Sequence, residues 1–275
     1  MRLRSRVLAT SHAARRRLVG EILSWAKAEG LAAVVFPFVL GADEPLRETL
    51  VEAGFASAFY EGDFYLPVAG GDLEGFLRTL APSARKRFRN DMNRFRRSGL
   101  TLETPAGIAE HAETLAEQHR QLMEKYRRPG PELTEESFRR FERLVPDRTF
   151  AVARDGAQVM GFALGMFGHG VLHVLRYARD PAADDDARLY GNLVFADSVR
   201  QALALGCTRV HFGKASHLAK AQRGCLYEEG IVFARCTDES EQPVLEAAFQ
   251  EADAANRERF ARLIAPPTPA AARAR

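Results

Sequence analysis

Two histidines on predicted strands carry the side chain best suited to proton transfer near neutral pH. His173 lies in the segment VLHVLRY and His211 in the segment TRVHFG. Imidazole titrates in the physiological range and can accept a proton from an attacking amine. Tyr177 follows His173 at an even spacing, so the alternation of a strand predicts that both side chains share one face. These three residues are candidate catalytic groups, and the alternative for each is an ordinary core or surface position.

A second group of polar side chains lies in the predicted loop after the strand 208–213. His217, Lys220 and Arg223 all fall within KASHLAKAQRG, which ends at Gly224. Loops often carry binding residues, and Lys or Arg beside a glycine is suited to an anionic group. We therefore predict that these three residues bind substrate, with a solvated loop as the alternative.

The sequence predicts no metal site. The acidic run 184–186 precedes a predicted helix, where carboxylates are solvated or favoured by the helix dipole. No histidines, cysteines or acids have the spacing of a zinc site. The three cysteines, Cys207, Cys225 and Cys236, are odd in number and widely spaced, which argues against a disulfide framework. We expect a reducing compartment and a cytoplasmic location.

Composition places the chain among globular proteins. It has 275 residues, of which 46% are apolar and 27% charged, with a net charge of +3. No apolar run approaches the roughly 20 residues of a membrane span, so we expect no membrane partner. The Arg-rich first 20 residues have no apolar stretch with a cleavage site, so no secretory signal is predicted.

A strongly basic helix is predicted at 83–100. Its apolar stripe is Phe88, Met92 and Phe95, and Asp91 is its one acid. Two interpretations stay open, a solvated face or a surface for a phosphate-bearing partner such as tRNA. Its cations are Arg85, Lys86, Arg87, Arg89, Arg94, Arg96 and Arg97.

The elements that must position these residues follow from periodicity and turns. Asp155-Gly156 between apolar runs is typical of a hairpin, and it predicts an antiparallel meander of strands 149–155, 157–167 and 171–177. A helix at 191–205 should cross to strand 208–213, lying parallel to 171–177. The loop 214–224 precedes a last strand, 228–236.

Helices and core residues complete the prediction. The first 70 residues read as helix, strand, helix, strand, and Pro37 predicts either a break in the first strand or an edge position for it. Further helices are predicted at 107–126, 135–145 and 242–264, with a turn at 127–132 and a disordered tail at 266–275. Apolar residues at helical spacing are predicted to face the core. They are Leu18, Ile22 and Trp25 in the first helix and Phe138, Phe141 and Leu144 in the helix 135–145.

The order of these elements is similar to the fold of the Gcn5-related N-acetyltransferase (GNAT) superfamily. The segment Arg188-Leu-Tyr190-Gly191-Asn192-Leu193 resembles the pyrophosphate-binding turn of that superfamily, although Leu193 stands where a small residue is usual. Backbone N–H groups at a helix start hold a diphosphate, and glycine permits close approach. The resemblance implies that residues 188 and 190–192 bind acyl-CoA. It also implies that strands 171–177 and 208–213 splay apart at the acyl site, beside His173 and His211.

The sequence further resembles the Fem-like branch of the superfamily. The basic helix, the hairpin ARDGAQVMGFAL, the segment RLYGNLVFADSVRQALALGCTRVHFG and KAQRGC occur in the order found there. The implied fold is α/β (α+β), a mixed and mostly antiparallel sheet flanked by helices. The implied domains are a partial GNAT-like half at 1–70, an acyltransferase domain at 71–240, and a C-terminal helix and tail at 241–275. The first half would be incomplete, so either the full protein begins before Met1 or this half has degenerated.

Three functions follow from the resemblance. The first is N-acyl transfer, with acyl-CoA as co-substrate, to an amine of a small molecule, a sugar or a peptide. The second is aminoacyl transfer from charged tRNA, with the basic helix contacting the tRNA. The third is a non-catalytic binding module on a GNAT scaffold. The sequence leaves the acceptor open.

Overall fold

A computed structural model describes residues 7, 9, 11–127 and 133–265. The predicted tail at 266–275 and residues 128–132 of the predicted turn lie outside the described residues. Helices and strands are numbered in chain order. The helices are α1 (His12–Ala28), α2 (Glu44–Glu52), α3 (Leu73–Thr79), α4 (Pro82–Arg97), α5 (Ala112–Lys125), α6 (Glu135–Leu144), α7 (Ser198–Ala204), α8 (His217–Ala221) and α9 (Gln242–Ile264), and a π-helix spans Tyr190–Asp197. The strands are β1 (Ala33–Leu40), β2 (Ala56–Pro67), β3 (Thr101–Glu103), β4 (Arg148–Asp155), β5 (Gln158–Gly168), β6 (Val171–Arg179), β7 (Arg209–Gly213) and β8 (Leu226–Cys236).

The chain divides into two compact units at places other than the predicted boundaries at 70 and 240. The first unit comprises Met1–Phe64, Lys214–Leu218 and Tyr227–Arg275, and the second comprises Tyr65–Gly213 and Ala219–Leu226. Strand β8 and helix α9 thus join the N-terminal segment. Strand pairing explains the difference, since β8 forms an antiparallel ladder with β1, about 200 residues earlier in the chain.

The first unit has its own core around β1 and β8. The strand order is β1, β8, β2, and the helices α1 and α2 supply core residues that include Val19, Ala26 and Leu46. The predicted break at Pro37 is confirmed, because the β1 register shifts between Phe36 and Val39. Helix α9 contacts this unit through Phe260, whose ring lies edge-on to that of Phe59 at 5.4 Å between centroids.

The second unit contains the predicted meander. Strands β4, β5 and β6 pair antiparallel, and β7 pairs parallel with β6. The strand order, beginning at the end of β2, is β2, β7, β6, β5, β4, β3. Alternating residues of β4 face opposite sides. Phe150 and Val152 pack with α5 and α6, whereas Ala151 and Ala153 pack with the π-helix and the end of α4. The predicted mixed, mostly antiparallel sheet flanked by helices is confirmed.

Three predicted core positions are wrong. Leu18 is 39% exposed, Trp25 is 59% exposed and Leu144 is 60% exposed. In α1 the buried residues are Val19 and Ala26, so the core face lies one residue away from the predicted stripe. Phe88 and Phe138, which were assigned to the core on the same reasoning, are buried. A periodic stripe indicates a helix but fixes its rotation only to within about one residue.

Several elements depart from the predicted ones. The segment 214–224, expected to be a loop, contains the short helix α8. The helix predicted at 191–205 begins as a π-helix and becomes α-helical only at Ser198. The helix predicted from residue 107 begins at Ala112, after a 3₁₀ turn. Helix α3 and strand β3 were not predicted. No helix in the described part of the chain is long and apolar enough to cross a bilayer.

Candidate acyl-transfer site

The second unit contains a pair of parallel strands that separate after three residues. Val171, Leu172 and His173 of β6 pair with Arg209, Val210 and His211 of β7, and the register ends there. The rest of β6 continues its pairing with β5 alone, as far as Arg179. The two strands therefore separate beyond His173 and His211, as the sequence predicts for the acyl site.

A β-bulge in β6 changes which side chains share a face. Gly165 pairs with Val174 and Leu164 pairs with Arg176, so Leu175 is the extra residue. On β5, Met166 and Leu164 lie on one face, and their partners His173 and Arg176 must share that face. Tyr177 pairs with Ala163 and therefore faces the other side. The bulge thus separates His173 from Tyr177, which the period-two pattern had placed together.

The two candidate imidazoles do lie together. The rings of His173 and His211 stack with centroids 5.2 Å apart, and the Tyr65 ring also stacks with that of His211 at 5.5 Å. The guanidinium of Arg209 lies 4.3 Å above the Tyr65 ring. His211 is buried and His173 is half-buried, so His173 is the more accessible of the two to a substrate in the splay.

On the opposite face, Tyr177 belongs to an aromatic cluster at the start of the π-helix. Its ring contacts Tyr190 at 5.2 Å, and Tyr190 contacts Phe195 at 5.4 Å. Phe195 in turn packs against Phe212 of β7 at 4.6 Å. Burial raises the pKa of Tyr177, so its hydroxyl stays protonated and can donate a hydrogen bond but cannot serve as a base near neutral pH.

The predicted diphosphate turn is packed against α4. A Cβ atom added at Gly191 would lie 2.4 Å from Oδ2 of Asp91, so the glycine permits close approach of that helix. Asn192 donates through Nδ2 to the Asp91 carbonyl oxygen at 3.0 Å. Arg188 has a left-handed backbone (φ 52°) and lies 3.9 Å from the Asp186 carboxylate.

The predicted substrate-binding cations of the second unit have protein partners. The Arg223 guanidinium donates to Oδ2 of Asp91 through Nη2 at 2.6 Å and through Nε at 3.1 Å, and both side chains are buried. It also lies 4.7 Å above the Phe195 ring. Buried Lys220 donates to the carbonyl oxygens of Phe212 (3.0 Å) and Gly213 (2.6 Å) at the end of β7. Both side chains therefore stabilise the elements around the site, Lys220 at the end of β7 and Arg223 at α4.

The third predicted substrate-binding residue, His217, belongs to the first unit. Its Nε2 lies 2.7 Å from Oε1 of Glu61. Its ring packs edge-on to Phe64 and Phe260. The structure thus brings Lys220 and Arg223 together with the turn at 188–192 in one unit and assigns His217 to a separate cluster. Its role in substrate binding stays a prediction.

Sequence reasoning missed two residues of this region. Asp91 was the one acid of the basic helix, and that isolation was the signal that it pairs internally. Arg176 lies inside a strand, and only the bulge brings it to the face of His173. The described residues hold no cluster of three or more potential metal ligands.

The splayed strands, the bulge and the crossover helix define an acyltransferase scaffold of the GNAT class. A family model described as an acetyltransferase (GNAT) domain matches residues 82–223, and the chain belongs to this family. That range contains the basic helix, the meander, the turn at 188–192 and Arg223. A search of curated proteins found no significant match.

Solved structures share the fold at low sequence identity. FemX is 15% identical with a TM-score of 0.64, and the match covers 88% of this chain and 82% of FemX. The C-terminal domain of a putative lysylphosphatidylglycerol synthetase from Agrobacterium fabrum is 13% identical with a TM-score of 0.58, covering 88% of this chain and 78% of that one. L-PGS from Bacillus licheniformis is 16% identical with a TM-score of 0.56, covering 86% and 78%.

Proposed function

We propose that this protein transfers an aminoacyl group from a charged tRNA to the amine of an acceptor. The observation that carries the proposal is the exposed cationic face of α4. Arg85, Arg89 and Arg96 lie at i, i+4 and i+11, with Lys86 and Arg97 beside them. Arg85 is half-buried and the other four are exposed. We call these five residues the α4 basic face.

The charge of this face has little internal compensation. Among the described residues, only Arg89 and Arg94 of the seven α4 cations form ion pairs, with Glu74 and Asp186. The one acid of the helix, Asp91, is buried and paired with Arg223. A 16-residue helix is about 24 Å long, so its cations can follow several phosphates of a nucleic-acid backbone.

The turn at 188–192 is less suited to the diphosphate of coenzyme A. The carboxylate of Asp91 lies against Gly191, where a phosphate would approach the main chain. Asp185 and Asp186 lie just before the turn and pair with Arg179 and Arg94. A diphosphate bound at this turn would lie close to carboxylates and would find no uncompensated positive charge. This arrangement favours an acyl donor that binds at another part of the protein.

The chemistry proposed for the splay is ordinary ester aminolysis. The amine nitrogen of the acceptor attacks the ester carbonyl carbon, and main-chain N–H groups of β6 near the bulge stabilise the oxyanion. The C–O bond to the tRNA ribose then breaks, an amide forms, and the ribose oxygen leaves with the proton that the amine loses. His173 is the candidate base for that proton because it is half-buried at the last paired position of β6.

Acyl-CoA remains a second candidate donor. It is supported by the splay beside β6 and by the helix start at Tyr190 that follows Arg188, which is 43% exposed. The acceptor in either case is an amine of a small molecule, a sugar or a peptide. A protein that binds such ligands without turnover is the third candidate.

Salt dependence and turnover test the proposal together. Binding of bulk tRNA to the full chain should fall steeply with salt, each neutralised phosphate adding about 0.7 to 0.9 to the log–log slope. Replacing Arg85, Arg89 and Arg96 by Gln should lower that slope by roughly 2 to 3 units. The matched control replaces Arg139, Arg140 and Arg143 of α6 by Gln, which removes the same charge and should leave the slope unchanged.

Turnover decides the donor. Charged tRNA should support amide formation with a panel of amines, and the α4 triple variant should lose that activity at moderate salt. Activity with acetyl-CoA that changes neither with salt nor with the α4 substitutions would instead support acyl-CoA as the donor. If no donor supports turnover, the transferase proposal is wrong and the binding module takes its place.

A further inference from the structure

Arg176 lies three residues beyond the last β6–β7 pair and forms no ion pair with any described residue. It is the first β6 residue to regain register after the bulge, opposite Leu164 of β5. Its guanidinium makes a single hydrogen bond, from Nη1 to the carbonyl oxygen of Leu175 at 2.8 Å. Within residues 11–127 and 133–265, no carboxylate lies within ion-pairing distance of this group.

Burial without a counter-charge is costly for a guanidinium. Leu164, on the same face, belongs to the apolar cluster formed with α5 and α6, so the Arg176 stem lies beside buried hydrocarbon. Burial lowers the pKa of the Arg176 guanidinium, and no acid in the described part of the chain opposes that effect. An anionic ligand would supply the missing charge and occupy the four N–H groups that make no hydrogen bond to the described protein.

The surroundings favour an anion. Strands β6 and β7 contain no Asp or Glu, and His173 lies on the same face as Arg176. Arg179, three residues further along β6, differs in being paired with Asp185. Arg176 is therefore the cation of β6 that is available to a ligand.

We infer that Arg176 binds the carboxylate of the acyl acceptor, so that the acceptor is an amino acid or a peptide with a free carboxylate. This inference rests on the proposed function. A single guanidinium fork matches a carboxylate through two parallel hydrogen bonds, whereas a phosphate carries more charge than one Arg neutralises. In an aminoacyl ester the α-carboxyl carbon of the donor is the reacting carbonyl, so a free α-carboxylate at this place belongs to the acceptor.

Calorimetry with matched probes tests the site independently of turnover. The probes are Ala-Ala, its C-terminal amide and phosphoethanolamine, each of which has a free amine. The wild-type chain should bind Ala-Ala on the order of 10- to 100-fold more tightly than the amide. Arg176→Gln should abolish that preference and leave the affinity for the amide unchanged, and Arg176→Lys should retain part of it. The control, Arg179→Gln, should retain the full preference.

The outcomes separate the site from the reaction. Equal wild-type binding of Ala-Ala and its amide, or no binding of either, overturns the inference even if Arg176→Gln fails to fold. A preference that survives in Arg176→Gln also overturns it. Tighter binding of phosphoethanolamine that depends on Arg176 overturns the carboxylate assignment. Carboxylate-dependent binding without turnover from any donor supports the site and refutes the proposed transferase reaction.

Discussion

Replacing Gly191 by Ala should destabilise the second unit because of one carboxylate. The new Cβ would lie 2.4, 2.6 and 2.9 Å from Oδ2, Cγ and Cβ of Asp91, and real Cβ atoms essentially never come that close to another heavy atom. The Asp91 side chain cannot simply rotate away, since Arg223 holds it by two hydrogen bonds in a buried environment.

The magnitude follows from the cheaper of two responses. Breaking the buried ion pair would cost about 3–5 kcal/mol, whereas shifting α4 away from the turn costs about 1–3 kcal/mol, as in overpacked cores. We therefore expect α4 to shift, at a cost of about 3 kcal/mol because three atoms of Asp91 are too close to the new Cβ. Alanine regains about 1 kcal/mol of helix propensity over glycine. We expect a net loss of about 2 kcal/mol.

The assay is urea unfolding of the full chain, followed by the near-ultraviolet signal of its tyrosines. The control is Gly168→Ala, where an added Cβ has no heavy atom within 4 Å, and its cost should stay within about 0.5 kcal/mol. In a background with Asp91→Ala and Arg223→Met, Gly191→Ala should cost less than about 1 kcal/mol, because the two nearest atoms are gone.

Two results would refute this reasoning. A cost of Gly191→Ala no larger than that of the Gly168 control would mean that α4 does not press on the turn. The same cost in both backgrounds would mean that the strain does not pass through Asp91. The result also bears on ligand binding, since loss of acyl-CoA binding in a Gly191 variant identifies a cofactor site only if the variant remains folded.

Three further predictions concern single side chains. If His173 or His211 is the base, its replacement by Ala should lower turnover on the order of 100-fold in steady-state assays. Burial raises the pKa of Asp197, so the stability it contributes is present below the unfolded pKa of about 4 and is lost as pH rises through the folded pKa. Asp197→Asn should therefore gain stability relative to wild type between pH 4 and 7 in urea titrations, and a constant difference would contradict the shift. Lys220→Met should lower the free energy of unfolding by about 1–3 kcal/mol, because two buried carbonyl groups lose a charged donor, and an unchanged urea midpoint would argue against those bonds.

The sequence by itself determined the meander and the crossover of the second unit. Asp155-Gly156 predicts the β4–β5 hairpin, and the change from helical to strand period near Thr149 predicts the meander that follows. The parallel pairing of β6 with β7 was also predicted, because a helix between two strands makes a crossover connection. These signals are local, since turn chemistry and periodicity depend on residues close together in the chain.

Tertiary structure decided how the side chains of the site are used. The pattern predicts that Tyr177 lies beside His173, but one extra residue at Leu175 turns it to the other face and brings Arg176 into its place. Nothing local in β6 marks that bulge, because it arises from pairing with β5.

The partners of the charged residues were also decided by the fold. Arg223, predicted to bind substrate, is held by Asp91, which lies 132 residues away in the chain. Gly191, predicted to admit a phosphate, also lies close against the helix that carries Asp91. Sequence spacing identifies which residues are charged or small. The residue that neutralises a buried charge or fills the space beside a glycine depends on contacts between distant segments, and these form only when the helices pack on the sheet.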